Sequence, residues 1–403
     1  MLSLLYIFPV LALLSLAGSL AIFSYLTVTE RSAPKFTYLP KNHSPGDSEN
    51  PRVSVVVTAK NEEDSIGRCL DTLLAQTYSN KEIMVVDDSS TDRTKEIVEN
   101  LALVYPTLRL VQAGSKPPGW VGKSWPCWRG FEESGRCEFL LFVDADSTYA
   151  PAVVERSVLY AQVHSLDMFS ISPSVELHGF WAKAVLPMIT SAINLLYPMK
   201  KVNDKSSKRA YVFGTYFLIR RSVYEKTGGH SKVKDQLVED AAIAKLVKSS
   251  GYNLRVERGQ DLLSTVWESD PKAIYHGLER VFSSSIKNYG LISILNAVLL
   301  FFLIIYPVLF IIADVLSRSF SEVFLTSTGA SVLNVMILLA LTSSQSKLIS
   351  GKAGPAILLY FFGGLIFICA IVTTSLKVAT GGDLYWKGQG YRQNSDRPLE
   401  NRQ

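Results

Sequence analysis

Two carboxylates that stand one residue apart are the side chains of this sequence best suited to hold a metal ion. Asp144 and Asp146 follow the apolar run Phe-Leu-Leu-Phe-Val at 139–143. Such a run predicts a buried strand of an α/β sheet, and open α/β sheets bind ligands beyond the carboxyl ends of their strands. Because the two carboxylates would repel each other, a hard divalent cation, Mg²⁺ or Mn²⁺, is the expected partner. The alternative is that Asp146 caps a helix beginning near Pro151.

Polar residues also follow the other predicted strands. Residues 53–58 predict a first strand, which is followed by Asn61 and Glu62, and residues 82–86 predict a second, which is followed by Asp88. Helical patterns separate the strands, so the expected fold class is α/β, a mainly parallel sheet with helices on both faces. A nucleotide would bind at the strand exits. The sequence has neither the glycine-rich dinucleotide fingerprint nor a P-loop motif, which argues against those two nucleotide-binding classes.

The distribution of charge divides the 403-residue chain into regions. Residues 1–29 contain no charged side chain and residues 291–376 contain five, whereas the stretch between has an ordinary globular composition. The expected order is an N-terminal transmembrane anchor, a linker, a catalytic domain, a C-terminal transmembrane region and a polar tail, at 1–29, 30–50, 51–290, 291–376 and 377–403. A signal peptide is the alternative for the first segment.

Basic residues indicate the orientation of the chain in the membrane. Arg31 and Lys35 follow the first apolar segment, and no Lys or Arg precedes it. The positive-inside rule therefore predicts an external N-terminus and a cytoplasmic catalytic domain in a multi-pass protein of the cell membrane. The net charge of +5 includes no polybasic run, so nucleic acid is not an expected partner.

The apolar segments leave the topology open. Residues 180–199 are apolar and aromatic with a basic flank, and their two prolines argue against a spanning helix, so an interfacial amphipathic segment is expected. Segments 291–316 and 355–376 are clear spanning candidates, and 324–341 is a weaker one. With the N-terminal anchor these make four spans and place the tail outside, yet the Lys and Arg residues of the tail favour the cytoplasm. The sequence does not decide between three and four spans.

Five motifs taken together resemble those of a known family. They are VVTAKNEE, VVDDSSTD, PPGWVGKSW, FVDADS and VEDAAIAKLV, in that order between residues 51 and 290. The series is similar to the family 2 glycosyltransferases with a GT-A fold, and within them to the membrane-bound branch that acts on lipids, including hopanoid-associated, carotenoid-acid and ceramide glycosyltransferases. The resemblance implies cation-assisted transfer of a sugar from a nucleotide diphosphate sugar, with inversion at the anomeric carbon.

The resemblance implies donor-site roles for residues at the strand exits. Asp88 would bind the nucleotide base, and this favours a uridine donor because a carboxylate accepts from an imide N–H. Asn61 and Glu62 would line the nucleotide site, Lys123 would approach the diphosphate, and the aspartate pair of the fourth strand would hold the metal. The alternatives are a turn or helix cap for Asp88, helix-start residues for Asn61 and Glu62, and an exposed loop for Lys123.

The resemblance also implies catalytic roles on the acceptor side. Asp240, preceded by Glu239 in the first turn of a predicted helix, would be the general base that takes the proton of an acceptor hydroxyl. The alternative is that both acids simply complement the helix dipole. Arg280 alone survives of the Gln-x-x-Arg-Trp motif of processive polysaccharide synthases, and it would either pair with the diphosphate or be a surface arginine.

Four further residues would contact the acceptor. Gly214 and Thr215 match a small-residue turn, and His230 stands in a Gly-Gly-His sequence that resembles the loop before the base, although a lone histidine is more often structural. Trp386 belongs to a tail motif similar to one of the carotenoid and hopanoid enzymes, and its role requires an internal tail.

These inferences predict an inverting, metal-dependent glycosyltransferase that moves a hexose from a nucleotide diphosphate sugar, with a UDP-sugar favoured, to a membrane lipid. The alternatives are a processive polysaccharide synthase of the same family and a catalytically inactive membrane scaffold.

Overall fold

The computed structural model describes residues 7–36, 50–317, 322–351, 356–386 and 389–392. The chain forms two compact units. The sheet unit holds the described residues of Ala33–Glu176 and Tyr197–Val266, and the helical unit holds those of Met1–Ser32, Leu177–Leu196 and Trp267–Asn394. The helical unit thus takes in two stretches that the sequence placed within the 51–290 domain.

The elements are numbered in chain order. The helices are α1 Ile7–Arg31, α2 Ile66–Leu74, α3 Thr94–Val104, α4 Ser124–Glu133, α5 Val153–Val163, α6 Gly179–Leu196, α7 Met199–Asn203, α8 Arg221–Thr227, α9 Glu239–Ser249, α10 Pro271–Leu300, α11 Tyr306–Ser317, α12 Glu322–Ser350 and α13 Ala356–Thr380. The strands are β1 Val53–Ala59, β2 Lys81–Asp87, β3 Leu108–Gln112, β4 Phe139–Asp144, β5 Ser147–Tyr149, β6 Met168–Ser172, β7 Ser174–Glu176, β8 Tyr216–Arg220, β9 Leu254–Arg258, β10 Leu263–Val266, β11 Asp383–Trp386 and β12 Gln389–Arg392. A 3₁₀ turn spans Gly229–Val233, and a π-helical turn, Phe301–Ile305, joins α10 to α11.

The sheet unit is built on a seven-stranded sheet in the order β3-β2-β1-β4-β8-β6-β9. Strand β8 runs antiparallel to β4 and β6, and the other pairs are parallel. This arrangement confirms the predicted mainly parallel α/β sheet. A smaller, three-stranded sheet has the order β5-β10-β7, and its strand β5 directly follows β4 in the chain.

Both faces of the large sheet are covered, which explains its nearly continuous apolar strands. Alternate residues of β1 enter different cores: Val55 and Val57 pack with Leu70 of α2, whereas Val56 packs with Met84 on the other face. A Cβ at Gly130 of α4 would lie 2.3 Å from Val56 Cγ1. Glycine is therefore required where α4 contacts the sheet.

The helical unit contains five stretches that are apolar and long enough to cross a membrane by length and composition. They are Ile7–Arg31, Gly179–Leu196, Leu291–Leu316, Phe324–Ser350 and Leu359–Thr380. Gly179–Leu196 is among them although two prolines stand in the stretch 180–199, because α6 continues through Pro187 while Pro198 falls after its end. Pro187 has no amide hydrogen to donate to the carbonyl of residue 183, and a helix in an apolar setting tolerates this loss when neighbouring groups can compensate for it. The expectation of an interfacial segment stays a prediction.

Candidate active site

The carboxyl ends of three adjacent strands bring the predicted donor-site residues to one edge of the sheet. In the register of these strands, Thr58 of β1 pairs with Asp144 of β4, and Ala59 pairs with Asp87 of β2. The amide of Asp88 then donates to the Ala59 carbonyl at 2.9 Å. Asp88 and Asp144 therefore flank the end of β1, as parallel strands require.

Lys123 forms an ion pair with Asp144 at this edge. It stands directly before α4, and its side chain is only 16% exposed. Burial by itself would lower the pKa of the Lys123 ammonium, but the carboxylates of Asp144 and Glu239 raise it above its ordinary value. A cation thus pairs with the strand-end carboxylate Asp144.

Asp146 is the more buried member of the aspartate pair. Its Oδ1 accepts hydrogen bonds from the hydroxyls of Thr265, at 3.1 Å, and Ser147, at 3.2 Å. Burial, and then repulsion from Asp144 and Glu62, raises the pKa of Asp146 to about 7. A buried carboxyl beside a second carboxylate is an environment that a bound cation would stabilise.

Within the described ranges, no group of three or more His, Cys, Asp or Glu side chains is placed to hold a metal ion. The two aspartates fit a hard cation that takes its remaining ligands from another molecule or from water, as Mg²⁺ commonly does. Neither Thr265 nor its hydrogen bond was predicted, because Thr265 is 119 residues from Asp146 in sequence and comes from the small sheet.

Tyr149 connects the aspartate that ends β4 to the predicted acceptor turn, Gly214 and Thr215. Its hydroxyl lies 3.2 Å from the Asp144 carbonyl and 3.1 Å from the Thr215 carbonyl. The tyrosine is buried. Thr215 is therefore fixed beside β4, although its own hydroxyl oxygen has no hydrogen-bond partner among the described residues.

Asp240, the predicted base, lies in the first turn of α9 and is held by backbone amides. Its Oδ2 accepts from the Gly214 amide at 3.1 Å, and its Oδ1 accepts from the Ala241 amide at 2.7 Å. A Cβ at Gly214 would lie 3.0 Å from the same Oδ2. The structure thus brings together two residues that the sequence assigned to the acceptor side.

Asp88 is buried between two lysines that the sequence analysis did not single out. Its Oδ2 lies 3.5 Å from Lys116 Nζ and 3.8 Å from Lys60 Nζ. Lys116 also donates to the Gly122 carbonyl at 2.8 Å, which ties it to the loop before α4. Lys60 lies within the motif VVTAKNEE, and Lys116 directly precedes the motif PPGWVGKSW. Nothing in the local sequence indicates that both side chains approach Asp88.

Asn61 and Glu62 organise the loops that follow β1 and β2. Asn61 has a φ of 54°, and its Oδ1 accepts from the Thr91 amide at 2.8 Å. The Glu62 amide donates to Thr94 Oγ1 at 2.7 Å. Both residues follow β1 at the edge of the sheet that carries Asp88, and their predicted contacts with a nucleotide stay predictions.

His230 lies in the core. It is fully buried, packs edge-on against Phe142 and has its Nδ1 2.7 Å from the Tyr224 hydroxyl. The His230 amide donates to the same Tyr224 oxygen at 3.1 Å, so two hydrogen bonds hold the histidine to this tyrosine. The geometry favours packing over contact with an acceptor, and the predicted contact stays a prediction.

Arg280 and Trp386 belong to the helical unit. Arg280 lies on α10, and Trp386 ends β11, where it pairs with Gln389 of β12 in a hairpin. Their predicted roles beside the diphosphate and the acceptor stay predictions.

Comparison with known proteins matches residues 54–228 to the model of glycosyl transferase family 2. The probable glycosyltransferase YdaM of Bacillus subtilis is 30% identical over 258 residues, 62% of this chain and 56% of that protein. The 4,4'-diaponeurosporenoate glycosyltransferase of Staphylococcus haemolyticus is 24% identical over 56% of this chain and 59% of its own length. The beta-monoglucosyldiacylglycerol synthase of Synechocystis is 30% identical over 33% of this chain and 28% of its own length. The chain therefore spans less than two thirds of these curated relatives.

A solved structure shares the fold. The mannosyltransferase PcManGT from Pyrobaculum calidifontis superposes with a TM-score of 0.51 at 17% identity, covering 92% of this chain and 99% of its own.

Proposed function

We propose that this chain, a member of glycosyl transferase family 2, moves a hexose from a nucleotide diphosphate sugar to a membrane lipid. The observation that carries the proposal is the ion pair between Lys123 and the strand-end carboxylate Asp144. It brings the cation predicted to approach the diphosphate to the edge of the sheet that carries the predicted metal ligands.

A divalent cation is part of the proposal because the aspartate pair suits one. Asp144 and Asp146 would hold the ion, which when bound would stabilise the negative charge of a departing diphosphate. PcManGT was solved in complex with GDP-Man and Mn²⁺. That neighbour supports a divalent metal ion, Mg²⁺ or Mn²⁺, as part of the proposal.

Lys123 and Asp88 would recognise the donor. Lys123 pairs with Asp144, and we propose that its ammonium also binds the diphosphate of the donor. Asp88, which lies between Lys60 and Lys116, would accept the imide N–H of a uracil base. A UDP-sugar is therefore the favoured donor.

Asp240 would act as the general base. Two backbone amides hold its carboxylate in place, and a general base must be positioned in this way to take a proton from the acceptor. The acceptor hydroxyl would lose its proton to Asp240, its oxygen would bond to the anomeric carbon, and the bond from that carbon to the diphosphate oxygen would break. This single displacement inverts the anomeric configuration.

The lipid acceptor is inferred from two features. The relatives include a diaponeurosporenoate glycosyltransferase and a beta-monoglucosyldiacylglycerol synthase, and the described part of the chain carries five helical stretches that are apolar and long enough to cross a membrane. We therefore propose a multi-pass membrane protein with a cytoplasmic catalytic domain. A processive polysaccharide synthase is the competing outcome.

The test is transfer of radiolabel from UDP-glucose, with GDP-mannose in parallel, into a chloroform-extractable fraction. Detergent-solubilised full-length protein would be supplied with total membrane lipid and Mn²⁺, or with EDTA. Asp240→Asn is the test variant, and Glu96→Gln is the matched control because it changes an exposed acid in the first turn of α3. Label in lipid that is lost with EDTA and in Asp240→Asn alone supports the proposal. A water-soluble polymer, or no product from either donor, would overturn it.

A further inference from the structure

Three of the five apolar stretches run side by side in alternating directions. The Tyr306 hydroxyl donates to the Phe8 carbonyl at 3.4 Å and the Ser15 hydroxyl donates to the Phe302 carbonyl at 2.7 Å, so α1 is antiparallel to the stretch that contains the π-helical turn and α11. Asn334 of α12 donates to the Ser15 hydroxyl at 2.6 Å. Further along, Gln345 bonds to Glu30. The direction from 15 to 30 therefore matches that from 334 to 345, and α12 is parallel to α1.

Chain connectivity identifies one side of this bundle. Helix α1 ends at Arg31, and the Phe36 amide donates to the carbonyl of Arg258 in β9 at 2.8 Å. Five residues reach at most about 17 Å, which is less than the roughly 30 Å of a bilayer core. The end of α1 and the strand are therefore on one side, here called the near side. Pro271 of α10 follows β10 by five residues and is on the near side by the same argument.

Both ends of α13 are also on the near side. Gln345, beside Glu30, places the end of α12 there, and α13 begins six residues after Ser350. At its other end, Lys377 Nζ lies 2.6 Å from Glu279 Oε1, and Glu279 is in the third turn of α10 and almost fully buried. A helix whose two ends are on one side of a bilayer has not crossed it.

Helix α6 meets the same condition. Its first residue, Gly179, follows β7 by three residues, and Asn203, seven residues after its last, donates to the Val256 carbonyl of β9 at 2.8 Å. Helix α6 also packs directly on α13, because a Cβ at Gly363 would lie 2.1 Å from the Ala184 carbonyl oxygen.

We infer that α6 and α13 lie together in the lipid leaflet of the near side, and that the membrane is crossed three times, by α1, by 291–316 and by α12. Both helices are apolar, so their hydrophobic surfaces would contact the acyl chains of that leaflet. The β11–β12 hairpin, which lies against α10, is consequently on the near side. The Lys and Arg residues at 387, 392, 397 and 402 agree with this assignment under the positive-inside rule. The inference does not depend on the proposed activity.

The test is accessibility of single cysteines in the full-length protein, expressed in cells. In a background with Cys137→Ser and Cys369→Ser, three variants carry one added thiol each: Asn394→Cys in the tail, Ser319→Cys between α11 and α12, and Asn100→Cys in the sheet unit. A membrane-impermeant maleimide is applied to intact and to permeabilised cells. We expect Asn394→Cys to label like Asn100→Cys, only after permeabilisation, and Ser319→Cys to label in intact cells.

Labelling of Asn394→Cys in intact cells together with Ser319→Cys would show that α13 crosses, and would overturn the inference. An epitope added after Gln403 gives a second measurement that leaves the native cysteines in place. Protease added to intact cells should spare that epitope, and its removal would also contradict three crossings.

Discussion

The backbone amide of Gly214 donates a hydrogen bond to Asp240 Oδ2 at 3.1 Å, and this contact orients the carboxylate proposed as the base. The two residues are 26 positions apart, and β8, α8 and the 3₁₀ turn separate them in the chain. Because Oδ1 is bonded to the Ala241 amide, both oxygens are fixed. Any acceptor hydroxyl would therefore meet a preorganised base.

Replacement of Gly214 by alanine is expected to reduce transfer without unfolding the protein. The added Cβ would approach Oδ2 to 3.0 Å, which forces the carboxylate away from its present position. A displacement of about 1 Å at a reacting group can cost on the order of 100-fold in rate, and we expect kcat to fall roughly tenfold to 100-fold with little change in the KM of the donor. Gly67→Ala is the control, since a Cβ there meets no atom within 4 Å. Equal kcat values for the two variants would refute the proposed role of the contact.

Replacement of Lys123 by glutamine is expected to separate metal binding from catalysis. Lys123 pairs with Asp144, so it competes with a cation for that carboxylate. We expect Lys123→Gln to bind Mn²⁺ more tightly without donor, by about tenfold or 1.4 kcal/mol, and to transfer sugar more slowly. Titration of free Mn²⁺ by electron paramagnetic resonance measures the first effect. Lys95→Gln, which removes an exposed lysine of α3, should change neither quantity; weaker Mn²⁺ binding by Lys123→Gln would contradict the competition.

The buried His230 is expected to make the sheet unit less stable as the pH falls. Burial, and then the nearby Lys123 charge, lowers the pKa of His230 from 6.5 to about 3. Below pH 6.5 the unfolded chain therefore binds a proton that the folded chain does not, and stability falls by up to about 1.4 kcal/mol per pH unit as the pH drops toward 3. This stability is fully present above pH 6.5. His230→Gln should flatten the decline of the melting temperature between pH 7.5 and pH 5, whereas the exposed His178→Gln should not; parallel declines in all three proteins would disprove the assignment.

The sequence predicted the parts of the fold and the site that depend on local pattern. Apolar runs that end in carboxylates located β4 and the edge to which Asp88 and Asp144 belong. Contacts between segments that are distant in sequence left no such signal. Thr265 contacts Asp146 from the small sheet. Lys60 and Lys116 come together at Asp88 only because β1 and β3 lie on either side of β2. Pro187 lies inside α6 without ending it, although proline disfavours the interior of a helix, because an apolar setting tolerates a proline better than water does.

Thr265 is expected to set the affinity of the aspartate pair for its cation. Its hydroxyl donates to Asp146 Oδ1 at 3.1 Å and lowers the pKa of that carboxyl, against burial and the Asp144 charge that raise it to about 7. Thr265→Val keeps the shape of the side chain and removes the donor, so the Asp146 pKa should rise further and ionisation should require a higher pH. A metal binds the ionised carboxylate. The Mn²⁺ concentration for half-maximal transfer should therefore rise roughly tenfold at pH 6.5 and less at pH 8. An effect of this size is within the range known for groups that support metal ligands. Thr265→Ser restores the hydroxyl and should restore the Mn²⁺ requirement. If Thr265→Val and Thr265→Ser need the same Mn²⁺ concentration at both pH values, Thr265 contributes only packing. The Thr265 hydroxyl would then not affect metal binding by Asp146.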